Sequence, residues 1–415
     1  MTVRISSFLL LVSAFVIASC SPKNIEETQG DDKLLARAKQ LADSLIILDG
    51  HIDLPDLLKE KKYRAGIDSP DTLISTGKGE FDFTRAKLGG LDAPFMSIYI
   101  PIEYQDKPDN GKAAADSLID TVIEITKQLP DKFALANTPA EVEANTRAGK
   151  ISLPMGMENG APIGNDLRNL KYFYDRGIRY ITLAHNRDNQ ICDASMDKRS
   201  GTWNGLSPYG KQVVAEMNRL GIIVDISHVD DSTFYQVMEL SKAPAIASHS
   251  SCRKFSPNAP RDMTDDMIKK LGEKDGVMLI NFYTAFLDSS AMKQQADLRD
   301  LLDSKKLKES DSLAKPVIEE FRRNNPNPTS IETVANHIDH VVKLAGIDHV
   351  GFGSDFDGVS GLLPVGLEDV SKYPDLIYVL LKRGYSEEDI AKICYKNAFR
   401  VWNKVIEVSN HMQAK

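Results

Sequence analysis

The sequence predicts an α/β fold, a (β/α)8 barrel of the TIM type, from three observations. Eight short apolar stretches alternate with segments of helical periodicity, which predicts parallel strands joined by right-handed crossovers. Several of these stretches end in a histidine or a carboxylate, as expected of a barrel that builds a site at one mouth. No glycine-rich phosphate loop follows an early strand, which argues against a doubly wound open sheet.

The elements follow in order along the chain. The predicted strands span residues 45–49, 94–100, 151–157, 178–184, 222–227, 244–248, 276–282 and 347–353. The predicted helices between them span residues 112–128, 139–147, 166–176, 207–220, 230–241, 264–274 and 330–345. Thr138 before Pro139 and Thr264 before two aspartates are typical helix starts. Charged residues and spaced leucines in 284–329 predict one or two helices outside the barrel. A surface excursion is favoured, with a lid or a dimer contact as the alternatives.

The N-terminal residues predict an export signal followed by a lipid anchor. The apolar run from Phe8 to Ala18 follows Arg4 and is too short for a membrane-spanning helix. Ile17-Ala18-Ser19-Cys20 resembles a bacterial lipobox, which predicts a signal peptide over residues 1–19 and lipidation of Cys20. The mature protein is therefore expected in the bacterial cell envelope, on the periplasmic or outer-membrane face, held to the membrane by its lipid alone.

Composition bounds the rest of the chain. Residues 20–35 are polar and predict a flexible tether, and residues 36–410 predict a single barrel domain containing the insertion. The 42% of hydrophobic residues can fill a large core, and the formal net charge of −8 argues against a nucleic acid partner. Three cysteines remain after Cys20 without a Cys-x-x-Cys pair, so thiolate zinc chemistry is not expected.

A metal site is predicted at the carboxyl ends of the strands. His51 and Asp53 lie two residues apart in a strand and therefore share a face. Histidines and carboxylates together can hold two neighbouring cations that activate a shared hydroxide. The residues at strand ends that form this set are His51, Asp53, Glu158, His185, His228, His249, Asp355 and Asp357. By contrast, His337 and His340 lie on the helix before the last strand and are predicted to be structural.

Ordered motifs from about residue 45 to 405 resemble those of the membrane dipeptidases, also called renal dipeptidases, which form peptidase family M19 within the amidohydrolase-like metal-dependent barrels. The motifs are Asp49-Gly50-His51-Ile52-Asp53, Gly156-Met157-Glu158-Asn159-Gly160, Thr182-Leu183-Ala184-His185, Asp225-Ile226-Ser227-His228, Ser248-His249-Ser250, Asn281-Phe282-Tyr283 and Gly353-Ser354-Asp355-Phe356-Asp357-Gly358.

The resemblance implies a zinc-dependent dipeptidase that hydrolyses the peptide bond of dipeptides, including those with a C-terminal D-residue. It implies two Zn²⁺ per chain, bridged by Glu158 and a hydroxide. His51 and Asp53 would hold one zinc together with Asp355, and His228 and His249 would hold the other. It also suggests a homodimer.

The same resemblance implies the catalytic and substrate-binding residues. Asp355 would shuttle a proton and Glu158 would bridge the metals at the reacting centre. His185 would contact the substrate and stabilise the reaction intermediate. Arg261, Tyr283 and Asp355 would also contact the substrate, and the guanidinium fork of Arg261 suits its free carboxylate.

Two alternatives compete with this prediction. One is another amidohydrolase activity, such as deacylation of an N-acyl amino acid. The other is a non-catalytic peptide-binding lipoprotein, which has no chemical reason to retain a full set of metal ligands.

Overall fold

Eight parallel strands close into a barrel in the computed structural model, which describes residues 22–59, 73, 75, 79–106, 108–198 and 201–414. The predicted signal peptide and Cys20 lie outside these residues. The strands are β1 (Ile47–Ile52), β2 (Leu91–Tyr99), β3 (Phe133–Leu135), β4 (Ile151–Leu153), β5 (Met155–Glu158), β6 (Ile178–Thr182), β7 (Ile223–Asp225), β8 (Ile246–Ser250), β9 (Val277–Ile280) and β10 (Val350–Phe352). Around the barrel their order is β1-β10-β9-β8-β7-β6-β5-β2, and β3 and β4 pair separately.

Helices follow the barrel strands and cover the barrel. They are α1 (Pro22–Ser44), α2 (Leu54–Lys59), α3 (Phe83–Gly89), α4 (Pro108–Gln128), α5 (Pro139–Arg147), α6 (Arg168–Asp175), α7 (Pro208–Leu220), α8 (Asp231–Leu240), α9 (Asp265–Glu273), α10 (Thr284–Leu287), α11 (Ser289–Ser304), α12 (Ala314–Asn324), α13 (Ile331–Ala345), α14 (Tyr373–Lys382), α15 (Glu387–Ala391) and α16 (Asn397–Gln413). The predicted caps are confirmed, since Thr138 accepts from the backbone N–H of Glu141 and Thr264 from that of Met267.

The predicted (β/α)8 barrel is confirmed, with one strand divided. Residues 151–157 were expected to form a single strand, but Pro154 separates β4 from β5. Proline has no N–H to donate to a ladder, although its carbonyl still accepts from Met96 at 2.8 Å. Consequently β4 pairs with β3, while β5 alone enters the barrel between β2 and β6.

The expected flexible tether needs correction, because residues 22–35 belong to helix α1. The helix packs along α14, and its Ala38, Leu41 and Ala42 side chains are buried. Arg37 adds a hydrogen bond of 2.6 Å to the carboxylate of Glu387. The apolar second half of α1 therefore docks on the domain, and this contact supports helical structure in the polar residues before it.

The insertion after β9 forms helices α10, α11 and α12. Leu298, Leu302 and Ala314 are buried in a small apolar cluster of their own, onto which Val317 and Phe321 pack. The two longer helices match the expected helical excursion. The insertion also borders the carboxyl-end mouth of the barrel, and the expectation of a surface excursion is therefore incomplete.

Two further properties concern the described residues. Cys192, Cys252 and Cys394 are buried free thiols. None of the helices in the described part of the chain combines the length and apolar character needed to cross a bilayer.

Candidate active site and metal centre

The six predicted metal ligands converge at the carboxyl-end mouth of the barrel. Together with His185, their nitrogen and carboxylate atoms form three overlapping groups, in each of which the atoms lie within 4.8 Å of one another. The groups are His51 with Glu158 and His249, Glu158 with His185 and His228, and His51 with Asp53 and Asp355. The six predicted ligands come from the ends of five different barrel strands and His185 from a sixth, so the closed fold itself assembles the cluster.

Glu158, at the end of β5, lies at the centre of the cluster. Its Oε1 is 3.0 Å from Nε2 of His228 and 3.4 Å from Nε2 of His249. Its Oε2 is 3.5 Å from Nε2 of His51, which in turn lies 3.4 Å from Oδ2 of Asp53. The two carboxylate oxygens thus face different histidines, as a bridging ligand requires.

The ring of His51 is held by a tyrosine below the cluster. The Tyr180 hydroxyl donates to the Gly50 carbonyl at 3.1 Å, so it accepts the Nδ1–H of His51 at 2.8 Å. With Nδ1 bonded in this way, Nε2 of His51 is the ring nitrogen that faces the cluster, and it is buried with no hydrogen-bond partner among the described residues. Tyr180 can lie there because residue 156 is glycine, at which a Cβ would meet the tyrosine ring at 1.9 Å.

The ring of His249 is held in the same tautomer by a serine and an aspartate. The Ser248 hydroxyl donates to Oδ2 of Asp225 at 2.7 Å and accepts the Nδ1–H of His249 at 2.7 Å. Burial, and then the charge of His51, lower the pKa of His249 to about 4. Its ring is therefore neutral at pH 7, with the lone pair of Nε2 facing the cluster.

His228 completes the pattern on the other side of Glu158. Its Nδ1–H donates to Oδ1 of Asn186 at 3.2 Å, which leaves the lone pair on Nε2. This Nε2 lies 2.9 Å from Nε2 of His249, so two lone pairs face each other in a buried site. A cation relieves that repulsion, and imidazole nitrogens with carboxylate oxygens are donors that Zn²⁺ and similar divalent ions accept. The residues present therefore fit a metal centre.

The cluster shifts the pKa values of two carboxyl groups in opposite directions. Burial acts to raise the pKa of Glu158, but the surrounding histidines, His185 and His51 before the others, lower it well below its usual range. Burial, and then the nearby Asp53 carboxylate, raise the pKa of Asp355 well above its usual range. Glu158 is thus suited to remain ionised, whereas Asp355 is the carboxylate of the cluster that accepts a proton more readily.

The backbone is unusual where the strands deliver these ligands. His228 and Asp355 adopt left-handed conformations with φ of 69° and 66°. Such conformations are uncommon for residues with a Cβ, and they aim the side chains into the mouth. Gly358 allows a close approach, because a Cβ there would meet Oδ2 of Asp53 at 2.2 Å.

Three predicted substrate residues border the cluster in different ways. His185 is 3.6 Å from Oε1 of Glu158 through Nε2, and its Nδ1 is buried without a partner among the described residues. The Tyr283 hydroxyl donates to Oε1 of Gln295 at 2.5 Å. Arg261 is buried behind the mouth, where its two Nη atoms donate to Oγ of Ser250 and the His249 carbonyl, each at 2.6 Å.

A cavity of about 930 Å³ opens above the cluster. Its lining includes Asp53, Glu158, His185, His228, Tyr283, Asp355 and Asp357, and residues of the insertion join them. Arg261 is not among the lining residues, so its predicted contact with a substrate carboxylate requires the guanidinium to share or exchange its present acceptors.

Sequence reasoning missed the residues that orient the metal-facing side chains. Tyr180, Ser248 and Asn186 each bond a ring nitrogen, and Asn281 donates to Oδ2 of Asp355 at 2.9 Å. Asn281 directly follows β9, one residue past the strand end, so its position was a usable signal. Tyr180 gave no such signal, because a tyrosine inside an apolar strand is interpreted as a residue of the hydrophobic core.

The histidines predicted to be structural are placed differently. His337 on α13 is buried, its Nδ1 accepts from the backbone N–H of Cys252, and its Nε2 donates to the Leu287 carbonyl, each at 3.0 Å. Burial lowers the pKa of His337 to about 4. His340 lies 2.7 Å from the carboxylate of Asp265. Neither residue belongs to a group able to hold a metal among the described residues.

Comparisons with known proteins found a matching family and similar structures. A sequence model of a protein family, described as membrane dipeptidase (peptidase family M19), matches residues 35–415. An uncharacterised dipeptidase from Schizosaccharomyces pombe is 35% identical over 367 residues, which cover 86% of this chain and 80% of the relative.

Solved structures similar to this chain include two bacterial proteins. The probable dipeptidase PvdM from Pseudomonas aeruginosa is 25% identical, with a TM-score of 0.77 over 91% of this chain and 99% of that one. A metallopeptidase from Rhodobacter sphaeroides, solved with a phosphinate mimic of the dipeptide L-Ala-D-Ala, is 26% identical. Its TM-score is 0.71 over 88% of this chain and 100% of that one.

Proposed function

The chain belongs to the membrane dipeptidase family, peptidase family M19, and is a metallodipeptidase; on this premise we propose that it works with two zinc ions and accepts dipeptides whose second residue is a D-amino acid. The observation that carries the zinc proposal is the set of three histidines, each bonded at Nδ1 and each presenting Nε2 to Glu158. The D-residue proposal is supported by the L-Ala-D-Ala mimic bound to the Rhodobacter sphaeroides relative.

The family resemblance implies a division of the side chains between two cations. His51, Asp53 and Asp355, which form one compact group, would hold one cation. His228 and His249, whose Nε2 atoms lie 2.9 Å apart, would hold the other, and Glu158 would contribute one oxygen to each. When bound, such a pair lowers the pKa of a water molecule and polarises the scissile carbonyl. The Tyr180, Ser248 and Asn186 contacts fix the rings beforehand, so little reorganisation is needed on binding.

Asp355 is the proposed proton carrier. Its raised pKa allows Oδ1 or Oδ2 to take a proton from the attacking water and return it to the nitrogen of the departing amine. Asn281 holds the carboxylate in place through its hydrogen bond to Oδ2.

His185 and the carboxylate-binding residues would orient the substrate. The unpartnered Nδ1 of His185 leaves the ring free to present an N–H to the carbonyl oxygen as negative charge develops there. Arg261 and Tyr283 would donate to the terminal carboxylate of the substrate, which restricts the chain length on that side.

Anchoring by lipid is also proposed. Export with cleavage before Cys20 and lipidation of its sulfur would place the enzyme in the bacterial cell envelope, where wall-derived dipeptides with D-residues occur. Metabolic labelling with a radioactive fatty acid should mark the protein and should fail in Cys20→Ala. Equal labelling of both proteins would contradict the anchor.

The deciding experiment measures metal and turnover on the same preparation. We expect two zinc ions per chain by elemental analysis and hydrolysis of Ala-D-Ala and Ala-Ala in preference to N-acetylalanine. Glu158→Gln should lose zinc and activity together, whereas Glu239→Gln, on the outer helix α8, serves as a control for the change itself. Faster turnover of N-acetylalanine would favour a deacylase, and zinc-free protein that binds dipeptides without cleaving them would favour a binding protein.

A further inference from the structure

The insertion contributes one wall of the active-site cavity. From α11 come Gln295, Leu298 and Arg299, from the following loop comes Glu309, and from α12 comes Arg322. A dipeptidase mouth formed by the barrel loops alone would lack these side chains. The wall therefore places groups beside the substrate that the catalytic cluster does not use.

Two exposed arginines on this wall have no anionic partner among the described residues. Within the described residues, the guanidinium groups of Arg299 and Arg322 make no hydrogen bond or ion pair. Both side chains are exposed, whereas the partly buried Arg253 and Arg383 pair with Asp231 and Asp339, each at 2.6 Å. Unpaired guanidinium groups that face a concave, substrate-sized cavity are suited to bind a carboxylate.

The contact between Tyr283 and α11 locates Arg299 relative to the substrate. Gln295 accepts from the Tyr283 hydroxyl and donates to Oγ1 of Thr284 at 3.0 Å, so this turn of α11 is attached to the mouth. Arg299 is four residues further on and shares that helix face. It is near enough that its charge lowers the pKa of Tyr283, although burial is the larger effect and raises it. Arg299 therefore lies on the Tyr283 side of the cavity, the side proposed for the second residue of the dipeptide.

We propose that Arg299, assisted by Arg322, binds a carboxylate in the side chain of the second residue, so that the enzyme prefers dipeptides ending in aspartate or glutamate. This inference rests on the proposed dipeptidase reaction and adds the class of side chain that the cavity selects. Glu309 lines the same wall and opposes the effect, which leaves the wall with one net positive charge.

The test compares aspartate with its neutral isostere at the second position. For zinc-loaded wild-type protein we expect kcat/KM on Ala-Asp to exceed that on Ala-Asn by about fivefold, through KM, because the contact is open to solvent. The ratio should approach one in Arg299→Gln, fall less in Arg322→Gln and rise in Glu309→Gln. High salt should also reduce the ratio, because it screens exposed charges.

Arg323→Gln is the matched control. Arg323 is adjacent on α12 and exposed but does not line the cavity, so its removal changes the net charge equally and should leave the ratio unchanged. An unchanged ratio in Arg299→Gln would overturn the proposal, and so would equal loss in Arg323→Gln. A preference found only for Asp-Ala over Asn-Ala would overturn the assignment to the second residue. Turnover of Ala-Asn without discrimination refutes this inference alone, whereas no turnover of any dipeptide refutes the proposed reaction.

Discussion

Two buried histidines in this protein, His249 in the cluster and His337 on the outer helix α13, share the same burial and the same lowered pKa of about 4. They differ in the groups that face their ring nitrogens. Both ring nitrogens of His337 are bonded to backbone groups, whereas His249 is bonded at Nδ1 and directs Nε2 towards Glu158 and His228. In this pair, burial and pKa do not separate the candidate metal ligand from the structural histidine, whereas the groups that face Nε2 do.

The largest expected effect separates these two residues directly. His249→Gln should lower zinc-dependent dipeptidase activity at least about 1000-fold together with metal content, because it removes a ligand rather than an outer-shell contact. His337→Gln should keep its zinc and its activity while folded. Elemental analysis and kcat/KM on Ala-D-Ala measure both, and loss of zinc from His337→Gln would break the comparison.

The next effect is on stability and belongs to His337. Its folded pKa of about 4 lies below the unfolded value near 6.5, so stability is fully present above pH 6.5 and is lost as the pH falls to about 4. The loss is on the order of 3 kcal/mol for this group. In denaturant unfolding, the free energy of unfolding of His337→Gln should depend less steeply on pH between about 4 and 6.5 than that of the wild type. At pH 8 the variant should be about 2 kcal/mol less stable, because two hydrogen bonds are lost. Parallel curves for variant and wild type would contradict the assignment.

A smaller effect is expected at the hydroxyl that orients His51. Tyr180→Phe keeps the aromatic packing but removes the acceptor for the Nδ1–H of His51. Zinc affinity should fall about 10- to 100-fold, the size typical of an outer-shell partner. Competition with a chelator measures this affinity. Tyr395→Phe controls for the loss of a tyrosine hydroxyl, because the partly buried Tyr395 packs against the hydrophobic core.

The smallest effect is expected at His340. Its contact with the half-exposed carboxylate of Asp265 is worth less than about 1 kcal/mol. His340→Gln should therefore change the free energy of unfolding slightly and leave zinc content unchanged. A loss of several kcal/mol would show that α13 depends on this pair far more than its exposure implies.

The sequence was sufficient to predict the barrel and the position of the cluster. Buried parallel strands are nearly continuous apolar runs, so their ends are visible, and His51 or Glu158 stands at such an end. The contacts between distant segments were not visible. Tyr180 meets His51 across 129 residues and Cys252 meets His337 across 85, and no local pattern encodes either pairing.

Two other features depend on tertiary contacts in the same way. The polar residues before Leu34 favour a tether by composition, but α1 is helical where it docks on α14. The charged insertion looks like a surface excursion by composition, yet its own apolar cluster folds it against the mouth and brings Arg299 to the cavity. Local propensity is a weak guide wherever packing decides.

The left-handed backbone at His228 and Asp355 has an evolutionary consequence. The left-handed conformation costs each of these residues roughly 1 kcal/mol relative to glycine, which adopts it freely. At these two positions thermal stability therefore favours glycine, whereas the proposed chemistry requires the histidine and the aspartate. A laboratory selection for thermal stability alone would favour glycine at these two positions and yield stable variants without dipeptidase activity. Each round of such a selection must therefore also screen for turnover.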